Sequence, residues 1–89
     1  MNIEDIERHI VRKLLSRKCY SANKYMNIRN VMKGLPKHLR DDTYRDQAIK
    51  NLRKQLVVVL YKKGDCIYLN REMLGKAKEI ASEWPETKF

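Results

Sequence analysis

Eighty-nine residues suffice for one small domain, and 43% hydrophobic content allows a modest core. No apolar run is long enough to cross a bilayer, and the acidic, amphipathic start Met1–Glu7 is unlike a secretory leader, so a soluble cytoplasmic protein is expected. The net charge of +9 is concentrated in the middle of the chain, where residues 19–56 hold nine basic and three acidic side chains, while residues 70–89 are neutral. A field placed this way attracts polyanions.

The first helix is expected from about residue 2 to residue 17. Ile3, Ile6, Ile10 and Leu14 form one line, widened by Val11 and Leu15. Glu4, Asp5 and Glu7 open it, and Arg12, Lys13, Arg17 and Lys18 close it, which complements the helix dipole. Residues 19–26 lack periodicity, and Lys24-Tyr25-Met26 is read as a short first strand. A second helix is expected at about 27–34, with Asn27 as its N-cap and Met26 and Val31 as a hydrophobic staple. Ile28, Val31, Met32 and Leu35 are its inner face, and Gly34 and Pro36 end it. A start near Asn23, with Tyr25 in the core, is the alternative boundary. Pro36 to Asp42 is the connection, with Leu39 directed into the core.

The third helix is expected from Thr43 to about Gln55. Thr43 and Asp46 suggest a capping box, and Ala48, Ile49, Leu52 and Leu56 form the apolar stripe. The β-branched run 56–61 and the segment 66–69 read as two strands joined by Lys62-Lys63-Gly64-Asp65, where Gly64 can take positive φ. Tyr61 and Tyr68 are expected to meet across the strands. A fourth helix spans about 71–84, capped by Asn70, lined by Met73, Leu74, Ala77, Ile80, Ala81 and Trp84, and stopped by Pro85. Gly75 lies inside it at a cost of about 1 kcal/mol relative to alanine. Residues 86–89 read as a frayed tail.

The order helix, short strand, helix, helix, strand, turn, strand, helix resembles the winged-helix superfamily. Small archaeal winged-helix proteins are resembled at two places, Asn27 to His38 and Ala48 to Asn70. The resemblance implies an α+β winged helix-turn-helix domain: a three-helix core, a two- or three-stranded wing and a C-terminal helix. It also implies DNA binding, although such folds serve as protein-docking modules too.

On a helical wheel centred on the apolar stripe, Thr43, Gln47, Lys50 and Lys54 point outward, with Asn51 and Arg53 on the flanks. Amide side chains suit adenine edges and lysines suit guanine or phosphate. Lys62 and Lys63 at the wing tip, and Arg29, Lys33, Lys37 and Arg40 before the third helix, are expected to contact phosphate. Tyr44 is expected to pack on Leu39, with a phosphate contact through its hydroxyl as the alternative. A nucleoid-associated regulator of transcription is the first functional expectation. A protein-interaction module of a transcription, replication or RNA-processing assembly, or an RNA-binding protein, is the alternative. A homodimer through the last helix and Trp84 is expected.

Catalytic signatures are not recognisable. Asp41-Asp42 suits a helix N-terminus better than a metal. Cys19, Cys66, His9 and His38 lack metal-ligand spacing and read as buried thiols and ordinary surface histidines, with no disulfide and no cofactor.

Overall fold

The computed structural model describes residues 3–35 and 37–82. Helix α1 (Ile3–Ser16) is followed by strand β1 (Met26–Asn27), a single 3-10 turn (Lys37–Leu39) and helix α2 (Asp42–Lys54). Strands β2 (Val58–Tyr61) and β3 (Cys66–Leu69) form a hairpin, and a 3-10 turn (Arg71–Met73) leads into helix α3 (Leu74–Ser82). The fold is α+β. The sheet is antiparallel in the order β1-β3-β2, with Met26 opposite Ile67, Val58 opposite Leu69 and Tyr61 opposite Cys66. Among the described residues no helix is long and apolar enough to cross a membrane.

The core lies where α1 meets everything else. Ile6, Ile10, Val11 and Leu14 are buried against Ala48, Ile49 and Leu52 of α2, Val57, Val58, Ile67 and Leu69 of the hairpin, and Ala77 of α3. This is the expected line of α1 and the expected stripe of α2, and removing these side chains from water is the main stabilising term. Alternation along the strands completes the layer. Val58, Leu60, Ile67 and Leu69 share the face toward the core side, whereas Val59, Tyr61 and Tyr68 share the other.

Both long helices end the same way. Lys18 has φ 56° and Leu56 has φ 63°. Cys19 N–H donates to Leu14 O at 3.0 Å and Lys18 N–H to Leu15 O at 3.1 Å. Val57 N–H donates to Leu52 O at 3.0 Å and Leu56 N–H to Arg53 O at 2.9 Å. These paired bonds are Schellman closures, built here without glycine at the left-handed position. They turn the chain sharply, so the residue after each closure, Cys19 or Val57, drops into the core.

Four sequence expectations need correction. Residues 28–34 do not form a second helix. Asn30 N–H donates to Asn27 O at 2.9 Å, Lys33 N–H to Asn30 O at 3.2 Å and Leu35 N–H to Met32 O at 3.3 Å, a ladder of three-residue turns. Six residues between β1 and Gly34 give too little length to offset helix nucleation. The segment is also tied at both ends. Ile28 N–H is claimed by Asp65 O at 3.0 Å, and Lys33 O by side chains of α1. Val31, Met32 and Leu35 are nevertheless buried, as expected.

The second correction is the cap of α2: Asp41, not Thr43, accepts at the N-terminus, taking the Thr43 N–H at 2.6 Å. Third, Leu56 is 64% exposed, because the left-handed turn swings it out of the stripe. Fourth, only α1, α2 and α3 are α-helices among the described residues, so a three-helix core with an additional C-terminal helix is not what forms. The Asn70 cap stands where expected, accepting Glu72 N–H at 3.1 Å, but the first turn after it is 3-10 and α3 starts at Leu74. Trp84, Pro85, the tail 86–89 and Pro36 lie outside the described residues, as does the side chain of Leu39. The Leu39 plug, the Trp84 interface and the packing of Tyr44 on Leu39 therefore fall there as well; Tyr44 itself is 44% exposed.

Candidate nucleic-acid interface

Helix α2 presents Thr43, Gln47, Lys50 and Lys54 on one exposed face, opposite buried Ala48 and Leu52. Its two acids share one internal cation. Arg45 donates through Nη1 to Asp42 Oδ1 at 3.2 Å and through Nη2 to Asp46 Oδ1 at 2.9 Å. Because the Arg45 side chain is held against the surface, both carboxylates next to the face have a cation in place before any ligand arrives.

Asn51 leaves this face. Its Nδ2 donates to Glu7 Oε2 on α1 at 2.8 Å, and its Oδ1 accepts from Gln47 Nε2 at 2.9 Å. Glu7 is 8% exposed, and burial raises its carboxyl above the usual value while the Asn51 bond opposes the shift. Asn51 therefore serves the α1–α2 seam, and Gln47 is steered by it.

Between α2 and the hairpin runs a slot of about 360 Å³, lined by Ile28, Ile49 and Leu60 with Asp46, Lys50, Arg53 and Gly64 at its rim. Arg53, assigned to a flank from the sequence, belongs to this rim. At the hairpin tip Lys62, Lys63 and Gly64 have φ 54°, 59° and 90°, so three consecutive residues are left-handed. The two lysines are not equivalent. Lys62 donates to the Tyr25 hydroxyl and lies 4.6 Å from the Tyr25 ring centroid, and this bond raises its pKa. Tyr25 in turn meets Tyr61 edge-on at 5.2 Å, and Tyr61 meets Tyr68 at 6.1 Å. The expected Tyr61–Tyr68 contact is thus present, as a diagonal rather than a directly opposed pair. Lys63 is exposed.

A second concavity, of about 250 Å³, lies before α2 and shares Ile28 with the first. Arg29, Lys33, Arg40, Arg45 and Asp42 line it with Ile28 and Met32. Arg29 N–H donates to Asn27 Oδ1 at 2.8 Å, which fixes the start of the turn ladder. At its other end Lys33 O accepts from His9 Nε2 at 2.9 Å and from Lys13 Nζ. Arg40 Nε donates to Leu35 O at 2.7 Å. Lys37 is exposed on the adjoining 3-10 turn and does not line this pocket.

His9 corrects the reading of both histidines as ordinary surface groups. It is half-buried beneath Gly34, whose φ is 101° and where an added Cβ would stand 3.1 Å from His9 Cε1. Burial holds its imidazole below the usual value, against the Lys33 carbonyl bond. His38 is exposed. Cys19 and Cys66 are free and buried, and burial raises the Cys19 thiol. Among the described residues no group of three or more His, Cys, Asp or Glu side chains is placed to hold a metal ion.

The eleven residues expected to meet nucleic acid thus fall into separate groups. Thr43, Gln47, Lys50 and Lys54 share the α2 face, and Arg29, Lys33 and Arg40 share the pocket. Lys37 and Lys63 are exposed outside both, Lys62 is engaged with Tyr25, and Asn51 is internal. The Arg45 pairing and the His9–Lys13 clamp were missed. The first had a signal in the spacing of Asp42, Arg45 and Asp46; the second joins residues 20 and 24 positions apart and had none. No protein-family model, curated protein or solved structure matches this chain.

Proposed function

We propose that the protein binds duplex DNA with the exposed face of α2 in the major groove and acts as a regulator of transcription on the nucleoid. The observation that carries this reading is the outer face itself. Amide and ammonium side chains at Gln47, Lys50 and Lys54 stand together on a 13-residue helix whose neighbouring acids are already paired with Arg45. Such groups suit adenine and guanine edges and phosphate. The element order, with β3 central in the sheet and the hairpin directly after α2, supports a winged-helix arrangement in which a turn ladder stands in place of the second helix. The strands beside the tip are four residues each, so the hairpin serves phosphate contact through Lys63 rather than base reading.

The Lys50→Glu, Lys54→Glu double variant tests this reading. Both side chains are exposed, so the far-UV spectrum and melting cooperativity should stay those of the parent, while duplex affinity in fluorescence anisotropy is lost. Parent-like affinity would move the DNA surface elsewhere. A homodimer through α3 would supply two copies of α2 for a palindromic site; a sedimentation mass that stays near 10.7 kDa at all concentrations would remove that element.

A protein-docking role is the second reading, and exposed Leu56 and Tyr44 favour it. Duplex affinity that falls steeply with salt separates DNA binding from docking. Competition between duplex DNA and structured RNA separates it from RNA binding.

A further inference from the structure

We infer that the concavity lined by Arg29, Lys33 and Arg40 is a binding site for a phosphate dianion, either the 5′-terminal phosphate of a nucleic-acid strand or a free phosphorylated molecule. It is distinct from the α2 face, which uses Thr43, Gln47, Lys50 and Lys54, and it does not depend on duplex binding.

Three observations build the site. First, the cations come from two connected segments but converge on one cavity of about 250 Å³ with an apolar floor of Ile28 and Met32. The concavity is open to solvent on one side, so its cations gather around one position while their side chains stay exposed. Second, the charge in it is not cancelled. Arg45 is shared between Asp42 and Asp46, so the two acids outweigh it by one charge, and the three cations Arg29, Lys33 and Arg40 still leave the pocket with positive charge in excess. Lys13, next to Lys33, has its pKa lowered by burial and by the Arg17, Lys33 and Arg40 cations, an independent sign that positive charge is crowded at this end of the molecule.

Third, the walls are fixed. Arg40 is anchored through Nε to Leu35 O at 2.7 Å, which leaves its two terminal amino groups as donors in a set orientation. The turn ladder bearing Arg29 and Lys33 is pinned by the Asn27 side chain at one end and by His9 and Lys13 at the other. For Arg29 and Lys33 the backbone is fixed, and for Arg40 the guanidinium itself; pre-set donors lose less freedom on binding than mobile ones. A backbone diester carries one charge and an ester link on either side. A terminal or free phosphate carries about −1.5 to −2 at neutral pH and three oxygens on one side. The second matches three cations that line one open concavity.

The test compares one duplex with 5′-phosphate or 5′-hydroxyl ends by anisotropy, and titrates inorganic phosphate into the labelled protein while Arg and backbone resonances are followed. A terminal-phosphate ligand gives about tenfold tighter binding to the phosphorylated duplex. A small-molecule ligand gives no end preference, but inorganic phosphate then shifts Arg29, Lys33 and Arg40 saturably. Arg29→Gln with Lys33→Gln should abolish either response without changing the fold, since both side chains are exposed. No end preference together with no saturable phosphate response overturns the site, whatever happens at the α2 face. Conversely, a phosphate response with no affinity for a duplex whose ends are closed by hairpins keeps the pocket and removes the duplex reading.

Discussion

Asn27 and Asp41 act alike on the backbone: each accepts the N–H two residues on, Arg29 at 2.8 Å and Thr43 at 2.6 Å. After Asp41 the chain runs as a helix of 13 residues, whereas after Asn27 it advances in three-residue turns. Capping supplies a start in both places. What differs is the length over which bonds can then accumulate and the competing claims on the backbone. α2 has room to propagate, with Arg45 bridging Asp42 and Asp46 along its first turns. The 28–34 segment ends at left-handed Gly34, loses Ile28 N–H to the hairpin, and has its last carbonyl before Gly34 held by α1. A cap and an apolar face mark where a helix can begin; tethers and length decide whether one forms.

The largest expected effect breaks the helical side of this pair. Leu52 is fully buried at the centre of α2, so Leu52→Ala should cost about 2–5 kcal/mol in denaturant unfolding. Ile28 is half-buried in the turn ladder, and Ile28→Ala should cost about 1 kcal/mol. Equal losses at the two sites would mean that the ladder is as deeply packed as the helix. Next is the seam: Asn51→Ala leaves the buried Glu7 carboxylate without the donor that opposes its desolvation. A cost of about 1–3 kcal/mol is expected, with the Glu7 carboxyl titrating higher still by NMR. A variant of parent stability would return Asn51 to the outer face.

Glycine substitutions sharpen the contrast. Gly34→Ala forces a Cβ onto a left-handed residue above His9 and should destabilise by about 1–2 kcal/mol. Gly75 lies in α3 with nothing within 4 Å of an added Cβ, so Gly75→Ala should raise stability by about 1 kcal/mol. Opposite signs in thermal melts are expected; a neutral Gly34→Ala would show that the ladder is free to shift away from α1.

The smallest effect is a pH dependence. Burial holds the His9 imidazole below its ordinary 6.5, so as pH falls through 6.5 the unfolded chain takes up a proton that the folded protein refuses. Its contribution to stability is present above pH 6.5 and is lost progressively below it. Glu7 acts oppositely: its carboxyl is raised above 4.5, so stability gains as pH falls toward 4.5. His9→Gln keeps a donor for Lys33 O and removes the first term alone. The stability difference between parent and variant should therefore shrink between pH 7 and pH 5. A difference independent of pH would show that His9 titrates alike in both states.

Much of the fold was legible because its signals are local. The apolar line Ile6, Ile10, Leu14, the stripe Ala48, Ile49, Leu52 and the turn at Gly64 each appear within one element, and all three stand where the spacing put them. The turn ladder was not legible because its decisive bonds reach α1 and the hairpin from 20 to 37 residues away in sequence. Leu56 was misjudged because periodicity assumes that the helix continues, and a Schellman closure without glycine leaves no sequence mark. At the candidate site the wheel correctly set Thr43, Gln47, Lys50 and Lys54 outward. It put Asn51 on a flank within reach of nucleic acid because a wheel does not include the Glu7 carboxylate on the neighbouring helix.

The central claim, that the outer face of α2 meets duplex DNA, is tested most directly by titrating a random-sequence duplex into isotope-labelled protein and mapping amide and side-chain shifts. Changes are expected to concentrate at Thr43, Gln47, Lys50 and Lys54 and at the tip around Lys63, and to diminish as salt rises. Shifts confined to α3, or to Leu56 and Tyr44, or no shifts at low salt, would contradict it.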